Sequence, residues 1–314
     1  MTDPERRNKM DKISEIRARV AETGKMLLEK KLVARTWGNI SERIDNETFA
    51  ISPSGLDYLH TEPEDVAVVK LSDMTWEGRR KPSSEKGIHA AAYRIFPDVN
   101  FVIHTHQTYA SALGLGGFSA DLLTDEQKKR LGTIYTAGYG LPGTKKLAGN
   151  VSAAYELGAK IVFMEHHGVV ICGKDRDDAF ELANLLEEVC KAQLKGVDPK
   201  KTVAKQVAEL GLPIPAQLDD MAQMIGSKIP VVENDPVAIS EKLKKVSTVI
   251  VKGQGIQIAC EDPDDREALE ILAEKAAVSF LHTRSLGIKA TLSAFDSCLM
   301  RIVYKFKYSK QKKG

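Results

Sequence analysis

Short apolar runs of strand length, set between segments of helical spacing, limit what this chain can become more than any other feature. Residues 99–104, 161–164 and 169–172 are such runs, and a few apolar residues bounded by turn signals read as buried strands. Residues 11–30 place Ile13, Ile16, Val20, Met26 and Leu27 among charges, the pattern of an amphipathic helix. Residues 145–157 and 177–194 are also helical in pattern, and residues 108–113 open a further helix. Shorter β-like stretches fall at 39–41, 48–52 and 66–71, and the S-P-S-G-L segment at 52–56 has the Pro and Gly of a tight turn. Ser83, Ser84 and Glu85 read as a helix entry, with serine as the cap and Glu85 in the first turn. That helix carries His89, Ala92 and Tyr93 and ends near Pro97, while the polar residues 124–130 read as a separator. Strands interspersed with helices on this scale predict an α/β core of about 200 residues.

The texture changes at residues 196–236, where prolines at 199, 213, 215, 230 and 236 punctuate polar segments around a helix or two. Beyond them, residues 246–251 and 255–259, joined by K-G-Q-G, predict a β-hairpin. Asp262 begins a helix that runs to about Ser285 and stops before Gly287. Ile302, Tyr304, Phe306 and Tyr308 alternate with Val303, Lys305 and Lys307, which is strand spacing. The expected organisation is a catalytic domain over residues 1–215, a linker over 216–236 and a small α+β module over 237–314. No role is read for that module.

Charge and cysteine usage then exclude several function classes. Formal net charge is +2 over 314 residues, without the basic footprint that nucleic-acid binding leaves. Lys305, Lys307, Lys310, Lys312 and Lys313 make a basic end, read as a solubilising tail. Cys172, Cys190, Cys260 and Cys298 are far apart, so a reducing compartment is expected rather than a disulfide framework or cysteine zinc site. The N-terminus is charged and lacks the apolar stretch of a signal peptide. No apolar run approaches the roughly 18 residues that span a bilayer. A cytoplasmic protein without a membrane partner is expected.

The candidate chemistry lies in histidines that follow apolar strands. Successive strand side chains face opposite ways, so His104 and His106 project from one face. Two imidazoles so placed can fill two positions of a tetrahedral metal, and His167, also after an apolar strand and before a glycine, is a candidate third ligand. Hydrogen-bonded or surface histidines would give the same spacing. Glu85 stands where a helix-capping acid stands, and becomes a general acid/base only beside a metal and substrate. Gly38-Asn39, Ser54-Gly55 and Ser83-Ser84 are either turn chemistry or parts of a phosphate cradle built from N–H groups, hydroxyls and a helix N-terminus.

Taken together, G-N-I-S at 38–41, I-S-P-S-G at 51–55, S-S-E at 83–85, H-T-H at 104–106, Y-G-L-P-G-T-K-K-L at 139–147 and H-H-G at 166–168 resemble the class II aldolase/adducin family, in its order, over about residues 10–195. The resemblance implies an α/β fold with a central, mostly antiparallel sheet flanked by helices. It implies His104, His106 and His167 as zinc ligands, with another divalent metal as the alternative. Glu85 would be the catalytic acid/base, and Asn39, Ser54, Gly55, Ser83 and Ser84 would hold the substrate phosphate. A tyrosine that protonates the departing aldehyde is also implied, with Tyr139 and Tyr135 as candidates. The expected activity is cleavage of a small phosphorylated ketose, fuculose-phosphate-like, to dihydroxyacetone phosphate and an aldehyde, in a homo-oligomer, tetrameric by family likeness. Dehydratase, decarboxylase or epimerase chemistry on the same scaffold is the alternative, although glutamate at 85 favours the aldolase over the epimerases, which typically have aspartate there. An adducin-like interaction module without metal is a further alternative, against which the intact histidine set speaks.

Overall fold

In the computed structural model, which describes residues 3–308, the apolar runs become the middle of one sheet. The order along the chain is α1 (Asp3–Glu29), β1 (Asn39–Arg43), β2 (Thr48–Ile51), β3 (Ala67–Lys70), β4 (Trp76–Glu77), α2 (Lys86–Ile95), β5 (Phe101–Thr105) and α3 (Thr108–Leu113). It continues with α4 (Asp125–Leu131), β6 (Ile134–Ala137), α5 (Lys145–Glu156), β7 (Ile161–Met164), β8 (Gly168–Gly173) and α6 (Arg176–Gln193). The sheet order is β4-β3-β2-β1-β5-β8-β7-β6. Neighbours are antiparallel except β6 and β7, which run parallel across the connection made by α5. The α/β architecture with a mostly antiparallel sheet flanked by helices is therefore the observed one.

Strand alternation decides what each face buries. Val102, Val162, Met164, Val170 and Cys172 point to one face, where Ile88, Ala92 and Tyr93 of α2 and Leu147, Val151 and Tyr155 of α5 close over them. α1 packs on β1 and β2, and its Ile16, Val20 and Leu27 are buried as the helical spacing predicts. β5 and β8 sit in the interior of the sheet and are buried along their whole lengths.

The described residues form two compact units, one of residues 3–107 and 123–186, the other of residues 108–122 and 187–308. The second holds a two-stranded sheet, a three-stranded sheet and five helices after α6. Its hairpin pairs Thr248–Val251 with Gly255–Ile258. Its longest helix, Pro263–Leu286, is capped by Asp262, whose carboxylate accepts from the amides of Asp264 and Asp265. Lys275 is buried in that helix and pairs with the carboxylate of Asp220.

Two sequence expectations give way. Residues 302–308 are not a strand: the helix Ala294–Val303 is capped by Ser293 and runs into a π-helical turn, Tyr304–Tyr308. The alternation there does not track burial, since Ile302 and Phe306 are 48% and 70% exposed. The polar stretch at 124–130 is largely α4, nucleated by a reciprocal capping box in which Thr124 and Gln127 satisfy each other's backbone amides. Of the basic end, Lys310, Lys312 and Lys313 lie outside the described residues, and Lys305 is exposed. No helix among the described residues is long and apolar enough to cross a membrane.

Candidate active site

The site is assembled by a strand and a helix whose repeats match. In the β1–β5 register Asn39 lies opposite His104 and Ser41 opposite Val102. Asn39, Ser41 and Arg43 therefore share the face on which α2 lies. Glu85, His89 and Tyr93 are spaced by four at the start and along α2, and so line up on one side of the helix. Two strand residues advance about 6.6 Å and four helical residues about 6.0 Å, so the two rows stay in step. The rungs are all polar. Asn39 Nδ2 donates to Glu85 Oε2 at 2.8 Å, and its Oδ1 bonds His89 Nε2. Ser41 Oγ reaches His89 Nδ1 at 2.6 Å and the Tyr93 hydroxyl at 2.7 Å. Arg43 donates to the carbonyls of Tyr93 and Phe96 at 2.7 and 3.0 Å.

The far end of this ladder carries the histidines. His104 lies on β5 and His106 follows one residue past its end, with ring centroids 4.7 Å apart. His167 comes from the hairpin between β7 and β8, where its amide bonds Met164 O and His166 takes a φ of 63°. Its ring lies 4.8 Å from each of the other two. Gly168 is dictated by this approach: a Cβ there would lie 2.3 Å from Thr105 O and 3.1 Å from His104 Cε1. Gly38, at φ 87°, meets the same demand from β1, because a Cβ would stand 2.5 Å from His104 O.

His104, His106 and His167 are 1%, 5% and 3% exposed, and their ligand atoms all lie within 4.8 Å of one another. His104 Nδ1 donates to Val169 O at 3.0 Å, which leaves Nε2 as the lone-pair nitrogen. That Nε2 is 3.0 Å from His106 Nε2, close to the roughly 3.4 Å that two nitrogens take on one tetrahedral zinc. The donor set fits a divalent metal, and His104, His106 and His167 are the residues that would hold it.

Glu85 joins this cluster, its Oε1 3.0 Å from His167 Nε2 and its Oε2 3.5 Å from His104 Nε2. Burial pushes its carboxyl up, but His167 and His104 together with the hydrogen bonds from His167 and Asn39 outweigh this and hold it well below the usual carboxylate range. Burial likewise keeps the His104 imidazole well down, against the pull of Glu85. Glu85 stands at the capping position of α2 rather than inside its first turn, and its side chain accepts no amide of the helix. Ser83 Oγ takes the Glu85 amide instead, at 3.2 Å.

The phosphate candidates are brought together by backbone pairing. Ser54 N bonds Lys81 O at 2.9 Å and Ser83 N bonds Ser52 O at 3.0 Å, so the 52–55 and 81–84 turns lie side by side. Ser83 is buried, Ser54 half-buried and Ser84 exposed, and Gly55 has a φ of 74°. Asn39 differs from the others, because both ends of its amide are engaged with Glu85 and His89. Tyr139 is half-buried, with its ring 5.3 Å from that of His166 and its amide on Glu165 Oε2. Tyr135 lies on β6 and is 47% exposed. Sequence reasoning missed His89, Ser41 and Tyr93. The signal that could have found them is the four-residue spacing from Glu85 facing the two-residue spacing from Asn39.

An eight-stranded sheet with a three-histidine cluster and an adjoining carboxylate at one edge of its central strands is the class of site in view. Residues 18–194 match the family described as class II aldolase and adducin N-terminal domain, and the chain belongs to that family. It is an enzyme of the class II aldolase, or lyase, kind. It is similar to a 5-deoxy-D-ribulose 1-phosphate aldolase of Bacillus thuringiensis, with 34% identity over 54% of this chain and 80% of that protein. A protein named L-ribulose-5-phosphate 4-epimerase UlaF, of Salmonella paratyphi B, is 32% identical over 54% of this chain and 80% of its own length. Among solved structures, an L-fuculose 1-phosphate aldolase aligns with a TM-score of 0.53 and 30% identity, over 57% of this chain and 84% of that one.

Proposed function

We propose that the protein is a zinc-dependent aldolase that cleaves a small phosphorylated ketose to dihydroxyacetone phosphate and an aldehyde. The observation that carries the reading is one buried carboxylate, Glu85, set 3.0 and 3.5 Å from two of three convergent imidazoles. A bound zinc supplies Lewis acidity for the ketose carbonyl. The protein's own residues bind and move protons. Ser54, Ser83 and Ser84, with the N-terminus of α2 and the Gly55 turn, receive the phosphate. In cleavage the C4 hydroxyl loses its proton, the C3–C4 bond breaks toward the C2 carbonyl, and C3 takes up a proton. Glu85 is the group that moves a proton at that carbon. Tyr139 is the candidate group at the C4 oxygen, where a proton leaves as the aldehyde forms and returns in the reverse addition. The same reading carries a cytoplasmic homotetramer as its expected setting.

The test is a panel of ketose phosphates offered to the zinc-loaded protein, with dihydroxyacetone phosphate and aldehyde both measured. Release of the two together, abolished in His106→Ala, is the expected result. Ser84→Ala should raise KM for the phosphorylated substrate far more than for its unphosphorylated analogue. A second reading, epimerisation of a pentulose phosphate, draws support from the relative of that name. It predicts an isomeric sugar phosphate and no aldehyde from the same panel.

A further inference from the structure

We propose that His89 is a positioning residue for this site: as a neutral ring protonated on Nε2, it fixes the amide of Asn39 so that its nitrogen donates to Glu85. The assignment follows from what each atom can do. Asn39 Nδ2 is the atom that faces Glu85 Oε2, and an amide nitrogen donates to a carboxylate oxygen, here across 2.8 Å. The Asn39 Oδ1 then faces His89 Nε2, and since a carbonyl oxygen only accepts, Nε2 carries the hydrogen. In a neutral ring Nδ1 is then bare, and the Ser41 hydroxyl donates to it across 2.6 Å. Having used its one hydrogen, Ser41 Oγ accepts from the Tyr93 hydroxyl at 2.7 Å.

Four consecutive hydrogen bonds thus point the same way, from Tyr93 through Ser41, His89 and Asn39 to Glu85. All of these side chains are buried, with Ser41 and His89 at 0% exposure. Aligned donors in a buried chain reinforce one another and favour negative charge at the accepting end. The chain is no proton wire, because the Asn39 amide does not take up a proton at one end to release it at the other. Its work is orientational. Were the Asn39 amide turned over, its oxygen would confront the carboxylate, so the bond from Asn39 to Glu85 lasts only while His89 holds that oxygen.

This rests on the reading of Glu85 as the acid/base, and the experiment separates the two. In protein labelled with 15N-histidine, the ring nitrogens of His89 should show Nε2 protonated and Nδ1 bare. A ring protonated on Nδ1 overturns the proposal, whatever reaction the enzyme catalyses. In kinetics, His89→Ala should lower kcat roughly 10- to 100-fold with KM little changed, the usual scale for residues that support a reacting group. His89→Gln, which keeps a donor toward Asn39, should recover most of that loss, and a melting curve on both variants checks that they fold. In a Glu85→Gln background the same His89→Ala change should cost nothing further. Wild-type kcat in His89→Ala, or an equal loss in both backgrounds, overturns the proposal. If the wild type turns over no sugar phosphate, the functional reading fails and the tautomer alone decides.

Discussion

Glu85 could be read from the sequence either as a helix cap or as a reacting group, because both uses put a carboxylate ahead of a helix. In the fold its side chain turns away from the amides of α2 and into the imidazoles, so it makes no cap bond, and the reacting role is what kinetics must test. Glu85→Gln keeps the shape but cannot transfer a proton, so kcat should fall about 10²- to 10⁴-fold. The variant should still fold, since no cap is lost. Measured together, a lower melting temperature with unchanged kcat would move the residue's role to the scaffold. His89 offers a second test at this scale. Burial pushes its imidazole down to about 4 from an ordinary 6.5, with Glu85 pulling weakly the other way. As pH falls the unfolded chain therefore takes the proton first. The stability due to neutral His89 is full above about 6.5 and drains through the window down to about 4, where about 3 kcal/mol has gone. In urea titrations across that window, the stability of the wild type should approach that of His89→Gln as pH falls. A gap independent of pH would mean that the ring is not held neutral.

Among the elements, those with strong internal signals were legible. Residues 161–164 have the bounds their pattern predicts, residues 108–113 are helical but the helix goes no further, and Asp262 caps its helix. Period-two spacing misleads at 302–308, where a helix cap upstream sets the geometry, and the polar separator at 124–130 gives no apolar period by which to see that it is α4. The H-H-G motif was legible as a strand end, but its reason was not. A three-residue connection with His166 in the left-handed region swings His167 back over β5, and only a residue without Cβ lets β8 start that close. Gly168→Ala must push Thr105 O or the β8 start aside, an overpacking cost of typically about 1–3 kcal/mol. Since the His104 ring is the next group in the way, zinc retention after dialysis should drop along with the urea midpoint. A variant less stable but fully metal-loaded would show that the strand yields without disturbing the ligands.

At the scale of the whole molecule, the order in which strands lie side by side has no local signature. Nothing in residues 39–43 or 99–104 says that they pair, and the ladder between β1 and α2 appears only once they do. The site is accordingly built from meetings across long stretches of chain: Glu85 and His167 lie 82 residues apart, and His104 and the carbonyl of Val169 lie 65 apart. Closing loops of that length comes late and slowly in folding. A ribosome that has released only the residues before β7 has therefore made every phosphate and acid/base candidate but not the cluster, because β8 does not yet exist. A metal held by His104, His106 and His167 would then arrive at a finished sheet rather than nucleate it, and would slow its loss. Refolding followed by tryptophan fluorescence should proceed at one rate with zinc or with chelator, while unfolding is slowed by the ion. A refolding rate that climbs with zinc concentration would mean that the histidines meet before the strands do.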